Sequence, residues 1–204
     1  MNTKLREFIV NKLKSTEREG IDDLIQFLDE TDFFYAPAST RYHGAYEGGL
    51  AEHCVNVLDT LCAYDEMLNK TYGMPCEDKN SMIIVALLHD VCKINTYKTK
   101  TLWRKDSQGK WESYIGYERN PDLAMGHGSK SVFLIQKYIK LTDAEAQAIL
   151  WHMGPYDISD YMSQNEMGIA FSVNGLAYKL NAADMAATYV LENENIRWEN
   201  HDPS

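Results

Sequence analysis

The apolar run Ile83-Ile84-Val85-Ala86-Leu87-Leu88 ends in His89-Asp90, and this junction constrains the fold more than any other stretch of the chain. Such a run belongs to an element buried on all sides, and buried helices do not normally end by carrying an imidazole and a carboxylate into the interior. An ionised Asp left there without a partner costs on the order of several kcal/mol or more. A divalent cation is a fitting partner, because it replaces water around both side chains at once. His53, His127, His152 and Asp184 supply further candidates at wide separations. With His89 and Asp90 they read as a metal site assembled from several helices.

The 204 residues suffice for one sizeable core and are short for two domains, so residues 1–204 are expected to form one domain. No apolar run approaches the roughly 20 residues that span a bilayer. The N-terminus lacks the apolar core of a signal peptide, which sets a cytoplasmic location as the default expectation. Among Cys54, Cys62, Cys76 and Cys92 there is no Cys-x-x-Cys pair. Cys54 and Cys92 fall in apolar helical contexts and are expected as small core residues in a reducing compartment. The net charge of −10 argues against a long nucleic acid as the main partner, but leaves room for a nucleotide or a short oligonucleotide.

Helical periodicity dominates. Leu5, Phe8, Ile9 and Leu13 mark one amphipathic helix, and Ile21, Leu24, Ile25 and Leu28 a second after Gly20. Residues 33–46 read as irregular. Gly48-Gly49 opens a long helix with His53 beside its apolar face, a loop follows over 70–79, and the buried helix is expected over 80–93. Residues 97–120 differ: two strand-like segments flank Asp106-Ser107-Gln108-Gly109, which predicts a β-hairpin with aromatic cross-strand packing around Trp103 and Trp111. Here Lys98, Lys100, Arg104, Lys105, Lys110 and Arg119 face only Asp106, Glu112 and Glu118. Gly126-His127-Gly128 precedes another helix. Thr142 and Glu145 form a capping box for the next, which ends near His152. A polar stretch covers 155–172, Asn174 is expected to cap a last helix containing Asp184, and the acidic tail from Glu192 is expected to fray.

Imidazole and carboxylate donors suit Mn, Fe, Co, Ni or Zn. A carboxylate can bridge two such ions, and a water held between them becomes a hydroxide able to attack phosphorus near neutral pH. Lys93 lies four residues after His89 and Lys130 three after His127, and both could offer positive charge to a phosphate. Lys93 could instead simply cap a helix C-terminus, although its position after His89-Asp90 favours the phosphate role, and Lys130 could be an ordinary surface lysine. His43 could orient a ligand, line the mouth of the site or serve structure alone.

These residues carry a family resemblance. The order His53, His89-Asp90, Asp184 resembles the defining pattern of the HD-domain metal-dependent phosphohydrolases. Gly48-Gly49-Leu50-Ala51-Glu52-His53 resembles the family's first-histidine helix, and Leu87-Leu88-His89-Asp90-Val91-Cys92-Lys93 its second. His127 and His152 match the extra histidines of the two-metal subgroup. The segment from His43 to His53, Ile149-Leu150-Trp151-His152 and Asn181-Ala182-Ala183-Asp184 are similar to the HD domain of bacterial 3′→5′ exoribonucleases. The likeness covers roughly residues 33–190 and departs from the family at Cys92, often Gly there, and at Met153, where the exoribonuclease group often has a second His. The OB-fold of the exoribonucleases has no room here, and the Gly-Tyr-Pro signature of the cyclic-dinucleotide branch is absent.

The resemblance implies an all-α HD-domain helical bundle, here with a small β-hairpin insertion. It implies that His53, His89, Asp90 and Asp184 bind a first metal and that Asp90 bridges to a second held by His127 and His152. The expected cofactors are one or two divalent ions (Mn, Fe, Co, Ni, Zn or Mg). The expected catalytic residues are Asp90, Lys93 and, by its spacing, Lys130. The expected activity is hydrolysis of a phosphate ester in a nucleotide or short oligonucleotide, with no membrane partner and with homo-oligomerisation left open. Rival readings are a 3′→5′ exonuclease or cyclic-nucleotide phosphodiesterase, a non-catalytic nucleotide-binding module, and a di-iron oxygenase on the same scaffold.

Overall fold

Three helices meet behind the His89-Asp90 junction and set its position. A computed structural model describes residues 2–120, 125–158 and 160–192. The long α3 (Gly49–Tyr72) packs against α4 (Lys79–Leu88) and α8 (Gly175–Ala186), and α6 (Asp143–Trp151) packs on α4 and α8 from the other side. The run from Ile84 to Leu88 is wholly buried among them, as its unbroken apolar character requires. α1 (Thr3–Lys14) and α2 (Ile21–Glu30) close one end, burying Ile9, Leu13, Leu24 and Leu28, while Phe8 stays partly exposed. α5 (His127–Ile135) lies against α6. The described residues thus form a helical bundle with one two-stranded antiparallel sheet. None of their helices is long and apolar enough to cross a membrane.

Two tight approaches need glycine. Gly20 sits at φ +82 with its missing Cβ only 2.0 Å from the Tyr138 carbonyl oxygen. In α5, a Cβ on Gly128 would lie 2.1 Å from the Leu150 carbonyl oxygen, so glycine lets α5 and α6 touch backbone to backbone beside His127 and His152.

Buried ion pairs tie the bundle together. Glu145, wholly buried, accepts from both terminal guanidinium nitrogens of Arg18, the Ser81 hydroxyl and the Thr142 N–H. The capping box is thereby also the clasp between the α1–α2 turn, α4 and α6. Lys179 of α8 donates to Asp65 of α3 at 2.7 Å and to Glu77 at 2.7 Å.

Several local expectations are corrected. α4 ends at Leu88 with His89 as its cap, and Val91–Lys93 is a separate 3-10 turn, so Lys93 is not one helical turn along from His89. α3 reaches Tyr72, which shortens the following loop. The polar stretch holds a helix, α7 (Tyr161–Val173), started by Asp160 accepting from the Ser163 N–H. It buries only Ala170 and so shows little apolar periodicity. Asn174 precedes α8 but its side chain makes no cap hydrogen bond, and its amide N–H donates to the Ala144 carbonyl.

The hairpin pairs β1 (Tyr97–Lys105) with β2 (Trp111–Arg119) in the register Tyr97↔Arg119 to Lys105↔Trp111. The expected aromatic packing is largely absent: Trp103 faces Ser113 across the strands, Trp111 lies under Lys105, and both rings are mostly exposed. Lys100–Glu118 and Arg104–Glu112 pair across the strands and neutralise part of the positive charge.

Candidate metal centre

Asp90 stands at the centre, its two oxygens facing different groups. Oδ2 is 3.5 Å from His89 Nε2, 3.6 Å from His53 Nε2 and 2.6 Å from Lys93 Nζ. Oδ1 is 2.7 Å from His127 Nε2 and 3.6 Å from His152 Nε2. Asp184 Oδ1 joins the first group at 3.2 Å from His53 Nε2. All six residues expected as ligands therefore converge, delivered by α3, the end of α4, the start of α5, the end of α6 and α8. The helices explain this convergence. His89 and His152 are each the residue that ends a helix, so their rings turn inward where the backbone leaves the helical path. His53 and Asp184 project from the packed faces of α3 and α8.

Proton positions test whether these side chains suit a cation. A carbonyl only accepts, so His89 Nδ1 donates to Ala86 at 2.8 Å and His152 Nδ1 donates to Ile149 at 2.7 Å. His53 Nδ1 donates to the Glu192 carboxylate at 3.0 Å. Each imidazole therefore turns Nε2 toward the centre. His152 Nε2 is buried without a hydrogen-bond partner, and the Nε2 atoms of His53 and His89 face one another at 3.3 Å. Converging ring nitrogens and carboxylates, with His152 Nε2 left without a hydrogen bond, fit an intermediate divalent ion.

Electrostatics agrees. Burial pushes the His89 imidazole down to about 3, leaving it a neutral donor of a lone pair. Burial also acts to lower His53, but the carboxylates of Asp184 and Glu192 outweigh it and hold it up at about 9. Asp90 is held well below the usual carboxylate range despite its burial, by Lys93, His89 and the other imidazoles. Lys93 is buried and raised in turn by Asp90. Lys93 thus supplies Asp90 with a cationic partner from within the chain, so the charge argument alone does not require a metal. The case for a cation rests on the convergent ring nitrogens.

Lys130 is buried rather than on the surface, with Nζ 3.4 Å from Thr96 Oγ1. Cys54 and Cys92 are buried free thiols. Burial and Asp90 push the Cys92 thiol up to about 12, which disfavours it as a thiolate ligand although its sulfur is 4.0 Å from Asp90 Oδ1.

The sequence reading missed Glu192. Far from fraying, it follows a π-turn (Ala187–Leu191) that continues α8 back over the site. It grips His53 while Asn56 donates to it at 2.9 Å. The only available signal was an acidic residue two turns beyond Asp184. The rest of the expected frayed tail, residues 193–204 with His201, lies outside the described residues. His43 packs its ring 4.9 Å from that of His53, and neither of its ring nitrogens has a hydrogen-bond partner.

Comparison with known proteins gives two positive findings. Part of the chain is similar to dihydroneopterin 2′,3′-cyclic phosphate phosphodiesterase of Methanocaldococcus jannaschii, at 33% identity over 99 residues, covering 48% of this chain and 37% of the relative. The match thus spans little more than a third of that relative's length. No solved structure matches. The profile of the HD domain matches residues 50–186, a span holding all six converging side chains, and the chain belongs to the HD domain family, within the superfamily of metal-dependent phosphohydrolases.

Proposed function

We propose that this protein is a metal-dependent hydrolase of phosphate esters, acting on a nucleotide or a short oligonucleotide, with His53, His89, Asp90 and Asp184 holding one divalent ion and Asp90, His127 and His152 a second. The observation that carries the reading is the shared inward turn of Nε2 on His53, His89 and His152 about the two oxygens of Asp90. Divalent ions bound there supply Lewis acidity and lower the pKa of a coordinated water.

The chain's own groups have separable tasks. Glu192 and the carbonyls of Ala86 and Ile149 fix the imidazole tautomers. Lys93 steadies Asp90 and brings a positive charge that a phosphoryl group can share. Lys130 adds a second buried ammonium on α5. Burial of His89, Asp90 and His152 excludes bulk water from the ligand cluster. The name of the Methanocaldococcus jannaschii relative makes a 2′,3′-cyclic phosphate the first ester to try.

The test is turnover of nucleotides, cyclic nucleotides and short oligonucleotides with Mn, Co, Ni, Mg and Fe added in turn. Chelator should abolish activity, and Lys93→Ala should lower it by roughly 100-fold. If no phosphate ester turns over with any of these metals, the non-catalytic binding or oxygenase reading takes its place.

A further inference from the structure

The hairpin stands apart from the bundle. Among the described residues β1 and β2 pack on each other, and neither packs substantially on any helix. The alternation of side chains along each strand gives the hairpin two unlike faces. One is covered from within. Lys100 pairs with Glu118, Arg104 pairs with Glu112 and lies over the Tyr114 ring, and Leu102 fills the space above Gly116. The other face carries Trp103, Trp111 and Ile115, each 60–68% exposed. Lys105, stacked on Trp111, stands at one end of this face and Arg119 at the other. No acidic strand residue shares it, because Glu112 and Glu118 point to the covered side. A bare apolar surface flanked by cations calls for an apolar partner flanked by anions.

α7 presents such a surface. It buries Ala170 on its inner side. At 3.6 residues per turn Met162, Ile169 and Val173 fall within about 40° of one another on its outer side. They are 54–73% exposed. Glu166 lies beside this stripe and Asp160 caps its start. Between Lys140 and Lys179 the chain has no basic residue and five acidic ones. The hairpin, by contrast, holds six basic residues against three acidic ones in a chain of net charge −10. The lengths also agree. Trp111 and Ile115 are about 13 Å apart along their strand, and Met162 and Val173 about 16 Å apart along the helix.

We infer that the bare face of the hairpin docks on the outer face of α7 of a second copy of this chain, two such contacts forming a dimer about a two-fold axis. Both complementary surfaces belong to every chain, and within one chain they do not pack on one another. A two-fold axis satisfies both at once and closes the assembly.

Size-exclusion chromatography with light scattering, run on the full chain from about 1 to 100 μM, reads the mass. The wild type should reach the mass of a dimer within this range. Trp103→Ser/Ile115→Ser and, separately, Ile169→Glu change exposed positions only, and circular dichroism should show both folded. Each should weaken dimerisation by at least about 30-fold, the scale of losing a central anchor. The two variants mixed one to one should recover dimers, because a mixed pair contains one contact in which both surfaces are intact. A wild type that stays monomeric throughout overturns the proposal and leaves the bare face to another protein or to substrate recruitment. A dimer that either folded variant leaves unchanged, or a mixture that stays monomeric as hairpin-on-hairpin pairing would require, overturns it as well.

Discussion

Glu192 offers a quantitative test of how the candidate centre is built. Its carboxylate oxygens lie 3.0 and 3.1 Å from His53 Nδ1, and its side chain is 8% exposed, so the contact is shielded from water and salt. Removing such an outer partner of a metal-binding imidazole costs roughly 10- to 100-fold in metal affinity. The buried setting puts Glu192→Ala toward the upper end of that range, because the freed ring can rotate or change tautomer and turn Nε2 from the centre. Glu192→Gln should lose less, about tenfold, since its amide oxygen still accepts from Nδ1 while the charge is gone. The loss is a net figure. Glu192 also helps hold a proton on His53 at about 9, and its removal eases the competition between that proton and the cation. Titration of Co or Mn against a chromogenic chelator at fixed pH, with circular dichroism to confirm folding, measures the effect. A folded Glu192→Ala protein that binds the ion as tightly as wild type would refute the view that the π-turn serves the site.

Arg18→Ala should destabilise the fold by about 3 kcal/mol, because it strands the buried Glu145 carboxylate while Ser81 and the Thr142 N–H remain. Burial acts to raise Glu145, but Arg18 and the Thr142 N–H hold it below the usual carboxylate value of about 4.5. The stabilisation is therefore complete above that value and fades as pH falls through the depressed folded pKa. Denaturant melts from pH 7 down to pH 3 should show an acid-side loss of stability that is smaller in Arg18→Ala, and parallel curves would contradict this. Gly128→Ala should cost about 1–3 kcal/mol by forcing α5 from α6, and should weaken ion binding as His127 and His152 part; an unchanged melting temperature would count against the backbone contact. Reversing charge at Lys98, Lys100 and Lys105 to Glu should raise KM for an anionic substrate and reduce its salt dependence if the hairpin recruits substrate. An unchanged KM with an altered oligomeric state would assign the hairpin to assembly.

Much of the centre was legible because its chemistry conflicts with its surroundings. An apolar run ending in His89-Asp90 is anomalous on sequence grounds alone, and the wide spacing of His53, His127, His152 and Asp184 already implies several helices. The hairpin and the α6 capping box were legible for a similar reason, since turn and cap residues act locally. α7 escaped because an exposed helix has no need of an apolar stripe. What only the tertiary structure decided is which groups satisfy one another. Lys93 turns back onto Asp90 because the helix stops at Leu88, Lys130 is drawn inside, and Glu192 reaches His53 across 139 residues of chain. The proton on each imidazole is likewise set by its neighbours in space: a carbonyl or carboxylate beside Nδ1 leaves Nε2 to face the centre. Sequence carries the identity of donors and the periodicity of helices, whereas partnership between side chains depends on distances of about 3 Å that only the packed bundle fixes.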